Sequence, residues 1–374
     1  MKTYDAVIAG GGLIGGAIAF ELARAGLRVA VFDRQEPGRE ASWASAGIIS
    51  PAPENQSMIP VVELGKASAK LYPRFIEQVE EASGLRTGYR PKGTIQALFA
   101  SDAMEELATV VGLHRGLGLA CEALDPEETR EMEPSLSAEV RACALRPEEA
   151  CVDNRLLTRA VLEAARRSGA EFFAGSGVEA IWEEGGRCRG VIARGEKIAA
   201  GSTVIAAGCF SGGIHGTEAY APVRPARGQI VALRGAGVQI ERVLWSERIY
   251  LVPRDDGRVI AGATIEYAGF EKALTAGGIH SVLDGAMELV PGLRGAELVE
   301  SWCGLRPDSP DHLPILGPTD VEGLLMATGH FRSGILLAPL TARLMGEWVK
   351  NEAPSWDAER LSPLRFRNCS ATSY

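Results

Sequence analysis

Val7-Ile8-Ala9-Gly10-Gly11-Gly12-Leu13-Ile14-Gly15, close to the start of the chain, is the stretch whose reading decides the fold. Residues 4–9 predict a short, buried, apolar strand, and residues 10–15 fit G-x-G-x-x-G. Residues 17–25 continue with helical periodicity, and Gly26 ends the helix. Each glycine meets a physical need. Gly10 permits the tight turn, Gly12 lets the backbone approach a pyrophosphate, and Gly15 lets helix and strand pack closely. The anion would rest on the helix N-terminus, where unpaired N–H groups and the dipole favour negative charge. A second strand, residues 27–32, delivers Asp33 about 20 residues on, placed to accept hydrogen bonds from a ribose diol. Strand, turn, helix and acid agree on a dinucleotide, and this motif alone does not choose between NAD and FAD.

The opposite end of the chain supplies a second glycine-bearing turn, Gly329-His330-Phe331-Arg332-Ser333-Gly334. A dinucleotide clasped by both ends of a chain points to FAD. Between them, residues 36–60 are irregular, with a nearly uncharged centre, Ala41-Ser42-Trp43-Ala44-Ser45-Ala46-Gly47-Ile48. Small side chains suit close approach of backbone to a large flat ligand, with a buried connector as the alternative.

Residues 62–83 predict a long amphipathic helix stopped by Gly84. Strand at 93–100, helices at 104–113 and 126–134, and a helix at 155–168 stopped by Gly169 follow, with strand again at 171–173. Val178 opens a hairpin running to Lys197, and residues 202–208 form a buried strand ending at Gly208 that would return to the first sheet. Strands at 229–233, 249–252, 259–263 and 296–302, with a helix at 279–289, read as a separate antiparallel sheet. The fold class is thus α/β (α+β). A Rossmann-like FAD-binding domain is expected from residues 1–85, 146–220 and 305–374, and a substrate-binding domain from 86–145 and 221–304. Residues 368–374 look frayed.

At 374 residues, with 46% hydrophobic and 23% charged residues, the chain suits a two-domain globular enzyme. Its net charge of −9, with arginines scattered, argues against a nucleic-acid or anionic-membrane surface. No secretory pattern opens the sequence and no apolar run approaches about 18 residues, so a cytoplasmic location without membrane insertion is the expectation. The seven cysteines form no C-x-x-C pair and read as reduced thiols. The five histidines never take metal-ligand spacings, so no metal is expected. No G-x-S-x-G elbow supports a hydrolase. Homo-oligomerisation stays open.

Four blocks in order along the chain resemble the D-amino-acid oxidase superfamily of FAD enzymes, and within it the glycine oxidase (ThiO) type. They are residues 10–15 with Asp33; Ser45-Ala46-Gly47-Ile48; Tyr250-Leu251-Val252-Pro253-Arg254 with Gly262-Ala263-Thr264; and Trp302-Cys303-Gly304-Leu305-Arg306-Pro307 with residues 329–339. The resemblance implies that FAD is lined by Leu13, Ile14, Asp33, Arg34, Ala41, Ser42, Ala46, Gly47, Ile48, Val178, His330, Phe331, Arg332, Ser333, Gly334, Ile335 and Leu336. It implies that Arg306 pairs with a substrate carboxylate and that Tyr250 hydrogen-bonds it. Arg332 stands at the flavin edge, where it would complete the anion site or touch substrate; interdomain salt bridges are the alternative role for both arginines. Arg248 and Ile265 depart from the histidine and methionine common in that type. Cys303 lies where some sarcosine oxidases attach FAD, whereas its neighbours match enzymes that hold FAD without a covalent bond.

The implied reaction is oxidation of glycine or another small amino acid, with hydride transfer from Cα to flavin N5 and O2 as acceptor. It yields imine, then oxo acid and ammonia, with hydrogen peroxide, and in ThiO-type members the imine feeds thiazole formation for thiamine. No side-chain base is obligatory. Sarcosine, D-amino-acid or 2-hydroxy-acid dehydrogenation with a non-oxygen acceptor, and a non-catalytic flavin-binding subunit, are the rival readings.

Overall fold

The computed structural model describes residues 3–53, 56–235 and 237–367, so the expected fraying at 368–374 lies outside the described residues, as does Cys369. The opening strand, Thr3–Ala9, sits inside a sheet between Glu196–Ile205 and Val29–Phe32, parallel to both. Glu171–Phe173 extends the sheet on one side, and Leu324–Thr328 with Ile315–Pro318 on the other. The hairpin Val178–Glu184 and Arg187–Ala193 pairs with Glu196–Ile205. Parallel strands must be covered on their faces, which explains their continuous apolar runs. Helices Leu13–Arg24, Val62–Ser83, Asn154–Arg167 and Gly334–Val349 pack against one another over this sheet in one apolar core.

The first helix starts at Leu13, earlier than the periodicity from residue 17 suggests, because Gly15 belongs to its first turn. A Cβ on Gly15 would lie 1.9 Å from the Gly10 carbonyl oxygen, so only glycine lets the helix begin so close to the strand.

The second sheet runs in the order Glu297–Asp308, Arg224–Arg234, Val259–Gly262, Tyr250–Pro253, Val243–Trp245, Thr94–Leu98, Ala142–Arg146, Glu122–Leu124. It is antiparallel except where Val243–Trp245 runs parallel to Thr94–Leu98, a correction to the expected purely antiparallel sheet. The parallel pair is the seam at which two distant parts of the chain meet. The strand expected at 296–302 continues to Asp308. It is an edge strand, where Pro307 can sit without removing a ladder bond needed by a further neighbour. The expected domain boundary at 304/305 falls inside this continuous strand.

Residues 36–60 are not one irregular stretch: Ala41–Ala44 is a helical turn, and Ile48–Ile49 pairs with Ala150–Cys151. The strands Glu122–Leu124, Ala142–Arg146, Val243–Trp245, Ile315–Pro318 and Leu324–Thr328 are too short to register as periodic patterns in the sequence. Among the described residues, no helix is long and apolar enough to cross a membrane.

The turn before the last helix is tied to that helix by a buried hydrogen bond, 3.1 Å between His330 Nε2 and Thr341 Oγ1. Burial pushes the imidazole pKa down to about 3. A histidine depressed in the folded state contributes stability that is present above its unfolded pKa near 6.5 and is lost as pH falls toward 3. Acidification from pH 7 to pH 4.5 is therefore expected to remove roughly 2–3 kcal/mol through this residue. His330→Gln should flatten that limb in urea titrations; an unchanged limb would exclude His330 as its source.

Candidate functional site

Two adjoining cavities lie between the sheets. The smaller, about 360 Å³, is lined by Gly10, Gly12, Ile14, Asp33, Arg34, Ala41, Ser42, Val178, Gly208, His330 and Phe331. The larger, about 720 Å³, is lined by Leu13, Ile14, Ala41, Ser42, Ala46, Gly47, Ile48, Tyr250, Arg306, Phe331, Arg332, Ser333, Gly334, Ile335 and Leu336. Ile14, Ala41, Ser42, Leu305 and Phe331 border both, so the two form one elongated depression. Residues from both ends of the chain therefore meet. Gly15 and Cys303 line neither: Gly15 lies beneath the turn, and the Cys303 thiol, raised in pKa by burial, stands apart from both cavities. His330 reaches the smaller cavity, while its imidazole is engaged with Thr341.

Around the smaller cavity, Asp33 Oδ2 accepts from the Gly11 N–H at 2.7 Å and Oδ1 from the Gln35 N–H at 3.0 Å. Burial raises the carboxyl pKa, opposed by these two N–H groups, which favour the ionised form. Arg34 pairs with Glu40 at 2.5 Å and lies 3.4 Å over the Phe210 ring, which stacks on Phe270 at 5.0 Å. Both rings line the cavity. Neither was legible in the sequence, since Phe270 comes from a connection far along the chain.

The loop between the cavities is held from three sides. Asn154 Nδ2 donates to the carbonyls of Ser42 and Trp43, and Trp302 Nε1 donates to Ala44 O at 3.0 Å. Arg254 Nη2 donates to Ala46 O at 2.8 Å and to Asn154 Oδ1 at 3.1 Å, while Nε faces Asp153 at 3.4 Å. Sequence reasoning assigned these anchors no role; only the fold shows where their hydrogen bonds go.

Tyr250, Arg306 and Arg332 all face the larger cavity. Arg306 Nη1 donates to Thr264 O at 3.1 Å, and the guanidinium crosses Gly228 so closely that a Cβ there would lie 2.3 Å from Nη1. Any side chain at 228 would displace it. Arg248 and Ile265 also line this cavity; Arg248 is held at 2.6 Å by Asp284 and 2.8 Å by Glu288.

Two helices begin at these cavities, at Leu13 and at Gly334. Neither has an acidic residue in its first turn nor a side-chain cap on its cap residue, although Leu13 N–H donates to Ser42 Oγ at 2.8 Å. Their positive dipole ends are thus turned toward the depression, with Arg306 and Arg332 beside it. The arrangement can hold an extended ligand that is anionic in its middle and a second, carboxylate-sized anion.

Comparison with known proteins agrees with this geometry. The profile of the FAD dependent oxidoreductase family (DAO) matches residues 5–348. The chain is 33% identical over 366 residues to glycine oxidase of Geobacillus kaustophilus, covering 97% of each. It is 36% identical to the bifunctional protein ThiO/ThiG of Trichormus variabilis, covering 99% of this chain and 56% of that one, and so spans about half the length of such bifunctional relatives. The crystal structure of glycine oxidase from Geobacillus kaustophilus superimposes with a TM-score of 0.91 at 32% identity, over 97% of this chain and 98% of that one. With fold, depression and family profile in agreement, this chain belongs to the FAD-dependent oxidoreductase (DAO) family.

Proposed function

We propose that this protein oxidises glycine or a similarly small amino acid with FAD, held without a covalent bond, as cofactor. The observation that carries the reading is the convergence of Arg306, Tyr250 and Arg332 on the cavity whose walls include Ala46, Gly47, Ile48 and the start of the last helix. We read residues 1–85, 146–220 and 305–374 as the FAD-binding part and 86–145 and 221–304 as the substrate-binding part.

The residues present fit FAD. Gly12 and the first turn of the helix beyond Leu13 offer backbone N–H groups to a pyrophosphate, the Gly10 N–H being taken by the Phe32 carbonyl and that of Leu13 by Ser42 Oγ, and Asp33 offers carboxylate lone pairs to a ribose diol. The Phe210 and Phe270 rings suit the flat adenine, and the small residues 44–47 suit an isoalloxazine ring. The helix beginning at Gly334 would stabilise negative charge on the reduced ring. Cys303 lines neither cavity, which supports non-covalent binding.

Bound FAD supplies a two-electron acceptor for the hydride leaving the substrate Cα and delivers the electrons to O2. The protein's contribution is positional. The Arg306 fork fixes the carboxylate through parallel N–H donors, Tyr250 adds a hydrogen bond, and the Cα–H is thereby oriented. Arg332 adds positive potential at the same cavity. The imine hydrolyses to oxo acid and ammonia, with peroxide as the product of O2; the likeness to ThiO/ThiG supports supply of glycine imine to thiazole formation. A cytoplasmic location is part of this reading.

Glycine added anaerobically should bleach the flavin bands of the purified protein, and glycolate should not; bleaching by glycolate alone would replace amino-acid with hydroxy-acid oxidation. Air should then return the bands with peroxide near one equivalent per turnover. Arg306→Ala is expected to raise the KM for glycine at least about 30-fold, the cost of a lost charge-assisted fork, with FAD affinity retained. Loss of flavin with an unchanged KM in the remaining holoenzyme would reject that role. Asp33→Ala should instead raise the Kd for FAD about tenfold in fluorescence titrations of the apoprotein, and an unaltered Kd would remove Asp33 from the cofactor site.

A further inference from the structure

The Arg306 guanidinium lies across Gly228 on the neighbouring strand Arg224–Arg234, and its Nη1 donates to the Thr264 carbonyl. Both supports belong to one polar cluster, centred on a carboxylate that lines neither cavity, that of Glu266. Glu266 Oε1 accepts from Thr264 Oγ1 at 2.6 Å and from Gln229 Nε2 at 2.7 Å. Its Oε2 accepts from Arg227 Nη2 at 2.5 Å and Nε at 3.1 Å. The backbones of Glu266 and Arg227 also pair in both directions, at 2.8 and 2.9 Å. Arg227 and Gln229 are the residues on either side of Gly228. One carboxylate therefore holds both flanks of the ledge beneath Arg306 and the side chain of the residue whose carbonyl steers it.

Every side-chain partner of Glu266 in this cluster is a donor, which suits an ionised carboxylate. Burial would raise its pKa, but hydrogen bonds from Thr264, Arg227 and Gln229 outweigh burial and hold the carboxyl below its usual range. Gln229 is fully buried and Arg227 nearly so, and a buried donor that loses its acceptor has little water to replace it. The Thr264 hydroxyl spends its proton on Glu266 and accepts from the Gln229 N–H at 3.0 Å, so its orientation is fixed from two sides. Gln229 is fixed in turn, because its Oε1 accepts from the Thr275 N–H at 2.8 Å. A guanidinium is planar and rigid, and a fixed hydrogen bond at Nη1 together with the ledge sets the plane of the whole fork.

We propose that Glu266 is a positioning residue for the substrate: through Thr264 and the flanks of Gly228 it holds the Arg306 fork in the orientation that receives the carboxylate, without touching substrate or cofactor. The inference rests on the amino-acid oxidation proposed above and deepens it. An amide at position 266 would turn one accepting atom into a donor facing donors. The partners on that side would then move, and Arg306 with them.

A double-variant cycle on the holoenzyme, with glycine as substrate, tests this. Glu266→Gln should raise KM about tenfold, with kcat within about twofold of the wild-type value and flavin content retained. In an Arg306→Ala background the same substitution should leave KM within about twofold, because a residue that acts through Arg306 has nothing left to position. An equal rise in both backgrounds, a loss of flavin in place of a KM effect, or an unchanged KM in the single variant would each overturn the proposal alone. Should Glu266→Gln fail to fold, Thr264→Val carries the same comparison, and Thr264→Ser, which keeps the hydroxyl, should bring KM back toward the wild-type value. Equal KM values for the valine and serine variants would then overturn it. Failure of glycine to bleach the flavin, or an Arg306→Ala variant with unchanged KM, would overturn the reading on which the inference rests.

Discussion

A buried guanidinium holds the two halves of this molecule in register. Arg254 projects from the second sheet, its side chain 4% exposed, and reaches the loop at Ala46, the helix start at Asn154 and the carboxylate of Asp153. Burial lowers its pKa, opposed first by the Asp153 charge. Removing one member of such a group leaves the others buried without a partner, and that loss exceeds the net worth of the contact. The loop so held, residues 41–48, borders both cavities, so the spacing between nucleotide-binding turn and substrate wall depends on this contact.

Around that frame positive charge gathers at one end of the depression. Two helix N-termini without acidic first turns meet at a depression bordered by Arg306 and Arg332, although the chain as a whole carries a net charge of −9. Asp33 and Glu40 line the smaller cavity and Glu106 and Glu247 the larger, so positive potential is local to the end where Arg306 and Arg332 stand, which is where a small anion is drawn.

What the sequence made legible was what local geometry dictates. The run from Val7 to Gly15 could be read because tight turn, close packing and helix start each demand glycine at one position. Gly84 and Gly169, both at positive φ, marked helix ends for the same reason. Arg306 and Tyr250 were reachable through resemblance, and the fold brings both to one cavity. Asn154, Arg254 and Trp302 as loop anchors, the Phe210 and Phe270 pair, and the Glu266 cluster could not be read, because each exists only where segments far apart in sequence meet. Short strands such as Ala142–Arg146 carry no alternation long enough to detect, and the parallel pairing of Val243–Trp245 with Thr94–Leu98 is a property of the assembled sheet.

The proposed function requires one dinucleotide gripped by both ends of the chain. Hydrogen–deuterium exchange of the apoprotein with and without FAD tests it most directly. FAD is expected to slow exchange together in the turn at residues 10–15, the loop at 41–48 and the helix start at 330–336. Slowing confined to the opening turn, with the closing segment unaltered, would contradict it.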